Sequence, residues 1–405
     1  MLNLNKKDSL MHKMKNLALL TLILILSAGC IQKTQPIKVN DSTQLPIVGT
    51  EQPIIYNPNP IVYQPPIIYP EVIQPIEEPP YVPQRTPYLQ GAYGNNNKLK
   101  QFIAQISSKY NYDQYELNAI FSTVNRDTEA LKKYNVYKTA KPASKVTEIG
   151  SWDKYRANFL TPSRISKGVE FWQENAHYLN KAAHIYGVAP EYIVGIIGVE
   201  TNFGGYTGTH SVLDALTTLS IEYTARATFF TSELENYLLM LRDEQVDPQK
   251  IKGSYAGAFG LAQFMPSSFR EYAIDFNGDG HINLFNKADA IGSIANYFIG
   301  RGKWQPNLPI TMQTYYSKAR FYGLPTGHKT SYTQAHMTSL GMRPTSNFSG
   351  YKGNVSLIKL SKYNRDELWW GTPNFRAITR YNPKDYYAMA VHQLSLAIRQ
   401  AKYGR

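Results

Sequence analysis

One glutamate on the apolar side of a helix is the residue in this chain best suited to proton-transfer chemistry. From Ala189 the sequence runs APEYIVGIIGVETNFGG. Pro190 suits the first turn of a helix, and Gly204 and Gly205 predict its end. Ile193, Ile196 and Ile197 recur at helical spacing, and Glu200 continues the same face one turn on. Burial on that face disfavours the charged carboxylate and raises its pKa. The C-terminal end of the helix dipole acts in the same direction. A carboxyl still protonated near neutral pH is what a general acid needs. The helix alone leaves a second reading open, a structural glutamate buried against an Arg or Lys.

Two further segments carry chemistry. KGSYAGAFGLAQFMPSS, from Lys252 to Ser268, predicts a loop of small residues followed by a helix starting at Pro266. Gly253, Gly257 and Gly260 permit close approach of backbone to a ligand, while Ser254 and Gln263 offer polar handles beside Phe264. The same small residues also suit a tight helix–helix contact. DFNGDGHIN, from Asp275, matches the opening of an EF-hand calcium loop. Asp275, Asn277 and Asp279 supply side-chain oxygens, Gly280 makes the sharp turn, and His281 contributes only its backbone carbonyl. Asn286 stands where the bidentate glutamate belongs, and Asp289 is the carboxylate placed to replace it. A structural calcium ion is therefore expected, with a metal-free Asx-rich turn as the alternative.

Taken as a set, GVAPEYIVGIIGVETNFG, LDALTTLS, KGSYAGAFGLAQFMPSSF, DFNGDGHINL and ITRYNPKDYYAMAVHQL resemble the lytic murein transglycosylase B family over roughly 97–405. Trp152, Tyr155, Arg156, Phe171 and Trp172 resemble that family's N-terminal helical part. The resemblance implies an α+β, mainly α fold with a lysozyme-like catalytic core. It implies an enzyme that cleaves the β-1,4 bond between N-acetylmuramic acid and N-acetylglucosamine without water, leaving 1,6-anhydromuramyl ends. Glu200 would be the sole acid/base. Sugar contacts are implied for Ser254, Gln263, Phe264, Met265, Tyr297, Tyr381, Asn382, Tyr387 and Arg226. Three departures bear on peripheral subsites: Ala225 replaces a paired arginine, Phe203 replaces a tryptophan, and Pro383–Asp385 alters the loop before Tyr387. A hydrolytic muramidase and a non-catalytic wall-binding lipoprotein are the rival readings. A second carboxylate from Asp214, Glu222 or Glu233 stays open on sequence alone.

The chain around these motifs divides into three: a signal peptide over 1–29, a proline-rich tether over 30–96, and a catalytic domain over 97–405 with the EF-hand-like loop at 275–289. Lys6, Lys7, Lys13 and Lys15 precede an apolar run from Leu17 to Leu26 that is too short to span a bilayer. Cys30, the sole cysteine, follows Gly29 and resembles the lipidated residue of bacterial lipoproteins, with Ser27 departing from the tightest pattern. Ile31 then resembles outer-membrane sorting for a Gram-negative source. One cysteine excludes an intrachain disulfide. Twelve of the 24 prolines fall between Pro46 and Pro87, favouring extended polyproline structure over helices or sheets.

The net charge of +13 favours anionic partners, and the 31 Tyr against 5 Trp suit sugar contact. No nucleic-acid motif is present, which puts nucleic acid last; the resemblance implies glycan strands as partners, with the outer membrane through Cys30. Helices are expected near Phe102–Tyr110, Leu117–Phe121, Phe171–Ile185, Phe229–Leu241, Asp289–Ile299 and Tyr386–Ala401. Strand character is expected at Val355–Leu360 and Phe375–Thr379.

Overall fold

The helix that carries Glu200 lies at the centre of the molecule. The computed structural model describes residues 81–139, 148–346 and 350–404. The signal peptide, Cys30 and the tether up to residue 80 lie outside the described residues. Within the described residues, residues 81–96 already pack on the folded part. The Thr86 amide donates to the Tyr115 carbonyl, and Tyr93 is buried with its hydroxyl on Glu222.

The helices are α1 (Asn97–Tyr110), α2 (Gln114–Ser122), α3 (Thr128–Thr139), α4 (Ser151–Arg156), α5 (Pro162–Glu174), α6 (Ala176–Tyr186) and α7 (Pro190–Thr201). They continue with α8 (Val212–Glu222), α9 (Ala227–Glu244), α10 (Pro266–Tyr272), α11 (Lys287–Gly300), α12 (Gln334–Ser339), α13 (Pro373–Tyr381) and α14 (Asp385–Tyr403). Strands β1 (His210–Ser211) and β2 (Lys252–Gly253) pair with each other. Strands β3 (Thr311–Tyr315), β4 (Arg343–Pro344), β5 (Ser356–Ser361) and β6 (Asp366–Gly371) form an antiparallel sheet in the order β4-β3-β6-β5. The fold is α+β and mainly α, as expected.

Side-chain caps explain many of the helix starts. Asn96, Asp113, Thr161, Ser211, Asn286 and Thr372 each accept a backbone N–H from the first turn of the helix they precede. Thr372, with Pro373 at the first helical position, also corrects one expectation. Phe375–Thr379 is the middle of α13 and not a strand, with Phe375 and Ile378 one helical turn apart and both buried. A second correction concerns Phe171–Ile185. The chain breaks at Asn175, so Phe171 and Trp172 close α5 and do not open the next helix.

Helix α7 packs against α5, α6, α11 and, most extensively, α14. It is buried on every face from Glu191 to Val199, and so has no wet side at all. Each fully buried Ile in it contributes about 1.5–3 kcal/mol through desolvation. Glycines set the approach of α14. A Cβ at Gly195 would overlap Ser395 Oγ, and one at Gly198 would overlap the Phe203 ring. Gly195→Ala should therefore lower stability by about 2 kcal/mol through overpacking, read as a drop in melting temperature. An unchanged melting curve would show that the two helices separate without cost. The sheet encloses its own smaller core of Phe321, Met337, Met342, Val355, Leu357, Leu368 and Trp370.

Candidate active site

Glu200 occupies the last turn of α7. Asn202 (φ 52°) ends that helix in the left-handed conformation, with its amide bonded to the Gly198 carbonyl and that of Phe203 to the Ile197 carbonyl. This stop falls before Gly204 and Gly205, where the sequence placed it. Termination there leaves Glu200 at the mouth of the buried helix, partly open to solvent as a residue. Its carboxyl is nevertheless walled by protein. The Tyr387 hydroxyl, from the first turn of α14, donates to Glu200 Oε1 at 2.5 Å. Tyr155 of α4 and Tyr381 of α13 stand close enough that the glutamate's charge adds to burial in raising both phenols.

Burial pushes the Glu200 carboxyl up to about 8, and the bond from Tyr387 opposes that rise. No Lys, Arg or His pairs with Glu200 among the described residues. Its neighbour at the other end of α7 shows the contrast. Glu191 is also buried, but Arg399 lies 3.3 Å from its Oε1. The structural, ion-paired glutamate of this helix is Glu191, whereas Glu200 has no cation beside it among the described residues and burial pushes it toward its protonated form.

Among the described residues, no second carboxylate acts on Glu200. Asp214 accepts from the Asn125 amide, Glu222 is clasped by Arg126 and Tyr93, and Glu233 accepts from both the amide and the hydroxyl of Ser267. The three carboxylates left open by the sequence are thus held elsewhere.

The remaining candidates fall into three groups. Phe264, Tyr297 and Tyr381 form one aromatic cluster, with Tyr297 and Tyr381 centroids 4.8 Å apart and Phe264 at 5.4 Å from Tyr297. Phe264 and Tyr297 are only 3% and 6% exposed, so they back the site from behind. The hydroxyls of Tyr297 and Tyr381 donate to the carbonyls of Arg380 and Ala262, tying α13 to the 252–265 loop. Ser254 and Gln263 shape that loop. Ser254 Oγ accepts from the Ala258 amide, and Gln263 (φ 48°) donates to the carbonyls of Thr207 and Gly260. Through Thr207 the loop is fixed to the segment leaving α7. Met265 and Asn382 are buried, at the N-terminus of α10 and just past α13. Arg226 lies over the Phe229 ring at 4.1 Å. Tyr155 is the residue near Glu200 to which the sequence reading gave no site role. Nothing in its local spacing marks it, because the two meet only through the packing of α4.

In the calcium-like loop, Asp275 accepts the amides of Gly278, Asp279 and Gly280, and Asn277 donates to Asp279. Asp289, fully buried, accepts the amides of Phe276, Asn277 and Asn283. With its oxygens turned to the backbone, no three His, Cys, Asp or Glu side chains converge as metal ligands among the described residues. The donor chemistry still fits a hard cation. Burial and then the charge of Asp275 raise the Asp289 carboxyl, and no Lys or Arg forms an ion pair with either among the described residues.

The chain that carries this buried carboxyl has relatives among known proteins. The transglycosylase SLT domain matches residues 94–396. Membrane-bound lytic murein transglycosylase B of Escherichia coli strain K12 is 43% identical over 317 residues, covering 78% of this chain and 86% of that protein. This chain belongs to the lytic murein transglycosylase B family. Among solved members, an E. coli lytic transglycosylase in complex with calcium superposes with a TM-score of 0.72 at 42% identity, covering 78% of this chain and 96% of its own. A more distant relative from Pseudomonas aeruginosa, solved with an NAG-anhNAM-pentapeptide, superposes with a TM-score of 0.66 at 27% identity, covering 75% and 78%. The family's lysozyme-like catalytic core accounts for the central position of α7.

Proposed function

We propose that this chain is a lytic transglycosylase of peptidoglycan, cleaving the β-1,4 bond between N-acetylmuramic acid and N-acetylglucosamine and leaving 1,6-anhydromuramyl ends. The observation that carries the reading is one buried carboxyl, its pKa raised by burial, with no carboxylate partner among the described residues. A retaining glycosidase of the two-carboxylate kind needs a nucleophile about 5 Å from its acid, and an inverting one needs a base further off. Glu200 has neither, which favours a substrate that supplies its own nucleophile.

Tyr387 holds Oε1, so the transferable proton rests on Oε2. That proton passes to the glycosidic oxygen as the C1–O bond breaks. The 2-acetamido oxygen of the muramyl residue closes on C1. The Glu200 carboxylate then takes the C6 hydroxyl proton, and the C6 oxygen displaces the acetamido oxygen from C1 to close the anhydro ring. Glu200 ends the cycle protonated, and no water enters. Tyr381, Gln263, Ser254 and Tyr155 would contact or orient the sugar, with Phe264, Tyr297, Met265 and Asn382 setting the wall behind them. Incubation with purified sacculi followed by mass spectrometry tests the reading. Muramyl ends lighter than reducing ends by one water are expected. Reducing ends would identify a hydrolytic muramidase, and an intact sacculus would identify a non-catalytic wall-binding protein.

Calcium belongs to the proposal as a structural ion. Asp275, Asn277, Asp279, the His281 carbonyl and Asp289 would hold it, and its charge would offset the two carboxylates. Calcium at a hundred times its dissociation constant stabilises the folded state by about 2.7 kcal/mol, so its addition should raise the melting temperature by on the order of 5 °C. A melting temperature indifferent to calcium and chelator would count against the site. The relative described as membrane-bound supports a periplasmic, membrane-associated location. We assign the attachment to lipidated Cys30. Cys30→Ala should move the protein from the membrane fraction to the soluble one, and retention in the membrane would remove that assignment.

A further inference from the structure

The residues from 311 to 371 contain eight Lys and Arg but only two acidic residues, and the structure gathers much of this excess at one end of the four-stranded sheet. Register fixes that end. Tyr315, the last residue of β3, pairs with Arg343 of the edge strand β4. Asp366, which opens β6, donates its amide to the Ala319 carbonyl and accepts the Phe321 amide, so the loop bearing Lys318 and Tyr322 lies beside the β5–β6 turn. Arg365 in that turn donates to the Tyr316 carbonyl. Tyr315, Tyr322 and Tyr363 are exposed by 64%, 87% and 55%.

Both acidic residues are already occupied. Asp366 is 3% exposed and bonded to Arg320, and Glu367 pairs with Lys362. Lys318, Arg343 and Arg365 have no carboxylate partner among the described residues. The same end of the sheet abuts the cleft. The Tyr363 amide donates to Asp153 of α4, the helix that carries Tyr155. The Ser361 amide donates to the hydroxyl of Tyr386, the residue before Tyr387.

We infer that this end of the sheet is a docking surface for the carboxylate-bearing peptides of a peptidoglycan strand, held beside the strand in the cleft. The inference rests on the peptidoglycan reading above. An uncrosslinked peptide stem ends in a free carboxylate, and a basic surface attracts such chains over a distance of about a Debye length. Tyrosines add flat contact area with a hydrogen-bonding tip. Of the large apolar side chains exposed over 311–371 among the described residues, three are Tyr and one is Leu340, too little aliphatic surface to sink into a bilayer, which sets it apart from an interfacial membrane anchor.

The test uses the full chain with Glu200→Gln, so that substrate is bound without being cut. Lys318→Glu with Arg343→Glu in that background should weaken binding to intact sacculi by roughly five- to tenfold at low ionic strength. The loss should fade at high salt and be absent on glycan stripped of its peptides. Lys318→Gln with Arg343→Gln should show an intermediate loss at an unchanged melting temperature. Equal weakening on stripped glycan, no weakening at all, or a loss seen only on vesicles of acidic phospholipid would overturn the inference. The release of anhydro ends by the unsubstituted enzyme is read separately, so a failed docking surface and a failed enzymatic reading give different results.

Discussion

Glu200→Gln is expected to lower the release of anhydromuropeptides by about a thousandfold while the variant still binds sacculi. General acid–base catalysis contributes roughly 10²- to 10⁴-fold in enzymes, and the proposed mechanism puts both proton transfers on this one carboxyl. Gln keeps the shape and leaves an oxygen to accept from Tyr387, so the fold is retained. The same substitution makes a prediction about stability whose sign follows from the pKa. The carboxyl titrates near 4.5 when unfolded and near 8 when folded. Between those values the folded state binds the proton and the unfolded state does not. Stability from this group is therefore complete below pH 4.5 and is lost as pH rises to 8. Gln does not titrate. The variant should gain on the parent across that window, by about 2–4 kcal/mol at its upper end once the partial solvent contact of Glu200 is allowed for. Melting curves at pH 5 and pH 8.5 would measure the gain. A variant that cuts sacculi normally, or gains no stability over the parent between pH 5 and pH 8.5, would remove Glu200 from the acid/base role.

The residues differ in how far their sequence context reveals them. Glu200 was legible because a carboxylate in an otherwise apolar helix is conspicuous, although the reason given by periodicity was incomplete. Helix α7 has no solvent face, and the exposure of Glu200 comes from its place at the C-terminal mouth. The Lys252–Ser268 loop and its helix start at Pro266 followed from local turn and cap chemistry. The four-stranded sheet was mostly hidden. Strand β3 is held by Thr311 opposite Gly371 and Thr314 opposite Leu368, pairings some 60 residues apart that no local window contains. Tyr155 reaches Glu200 in the same nonlocal way. Phe375–Thr379 was misread because β-branched and aromatic residues outweighed the stronger local evidence of Thr372 and Pro373, a side-chain cap followed by a proline at the first helical position.

Tyr387→Phe separates proton placement from simple packing. Tyr387 is fully buried, and Phe fills the same volume, so stability should change by less than about 1.5 kcal/mol. What disappears is the hydroxyl on Glu200 Oε1. That bond holds the glutamate's pKa down against burial, so its loss raises the pKa further. The basic limb of the pH–rate profile, which falls as Glu200 loses its proton near pH 8, should then move to higher pH. The turnover at neutral pH should nevertheless drop by roughly 10- to 100-fold, as befits a lost charge-assisted hydrogen bond of about 1.5–3 kcal/mol. The drop arises in the second half of the reaction. The Glu200 carboxylate formed by donation is stabilised by the Tyr387 hydroxyl, and that anion must persist long enough to accept the C6 proton. A variant with slower turnover but an unmoved or lowered basic limb would place Tyr387 on the sugar rather than on the acid. An upward shift together with slower turnover would show that one phenol tunes both the proton that leaves Glu200 and the anion that receives the next.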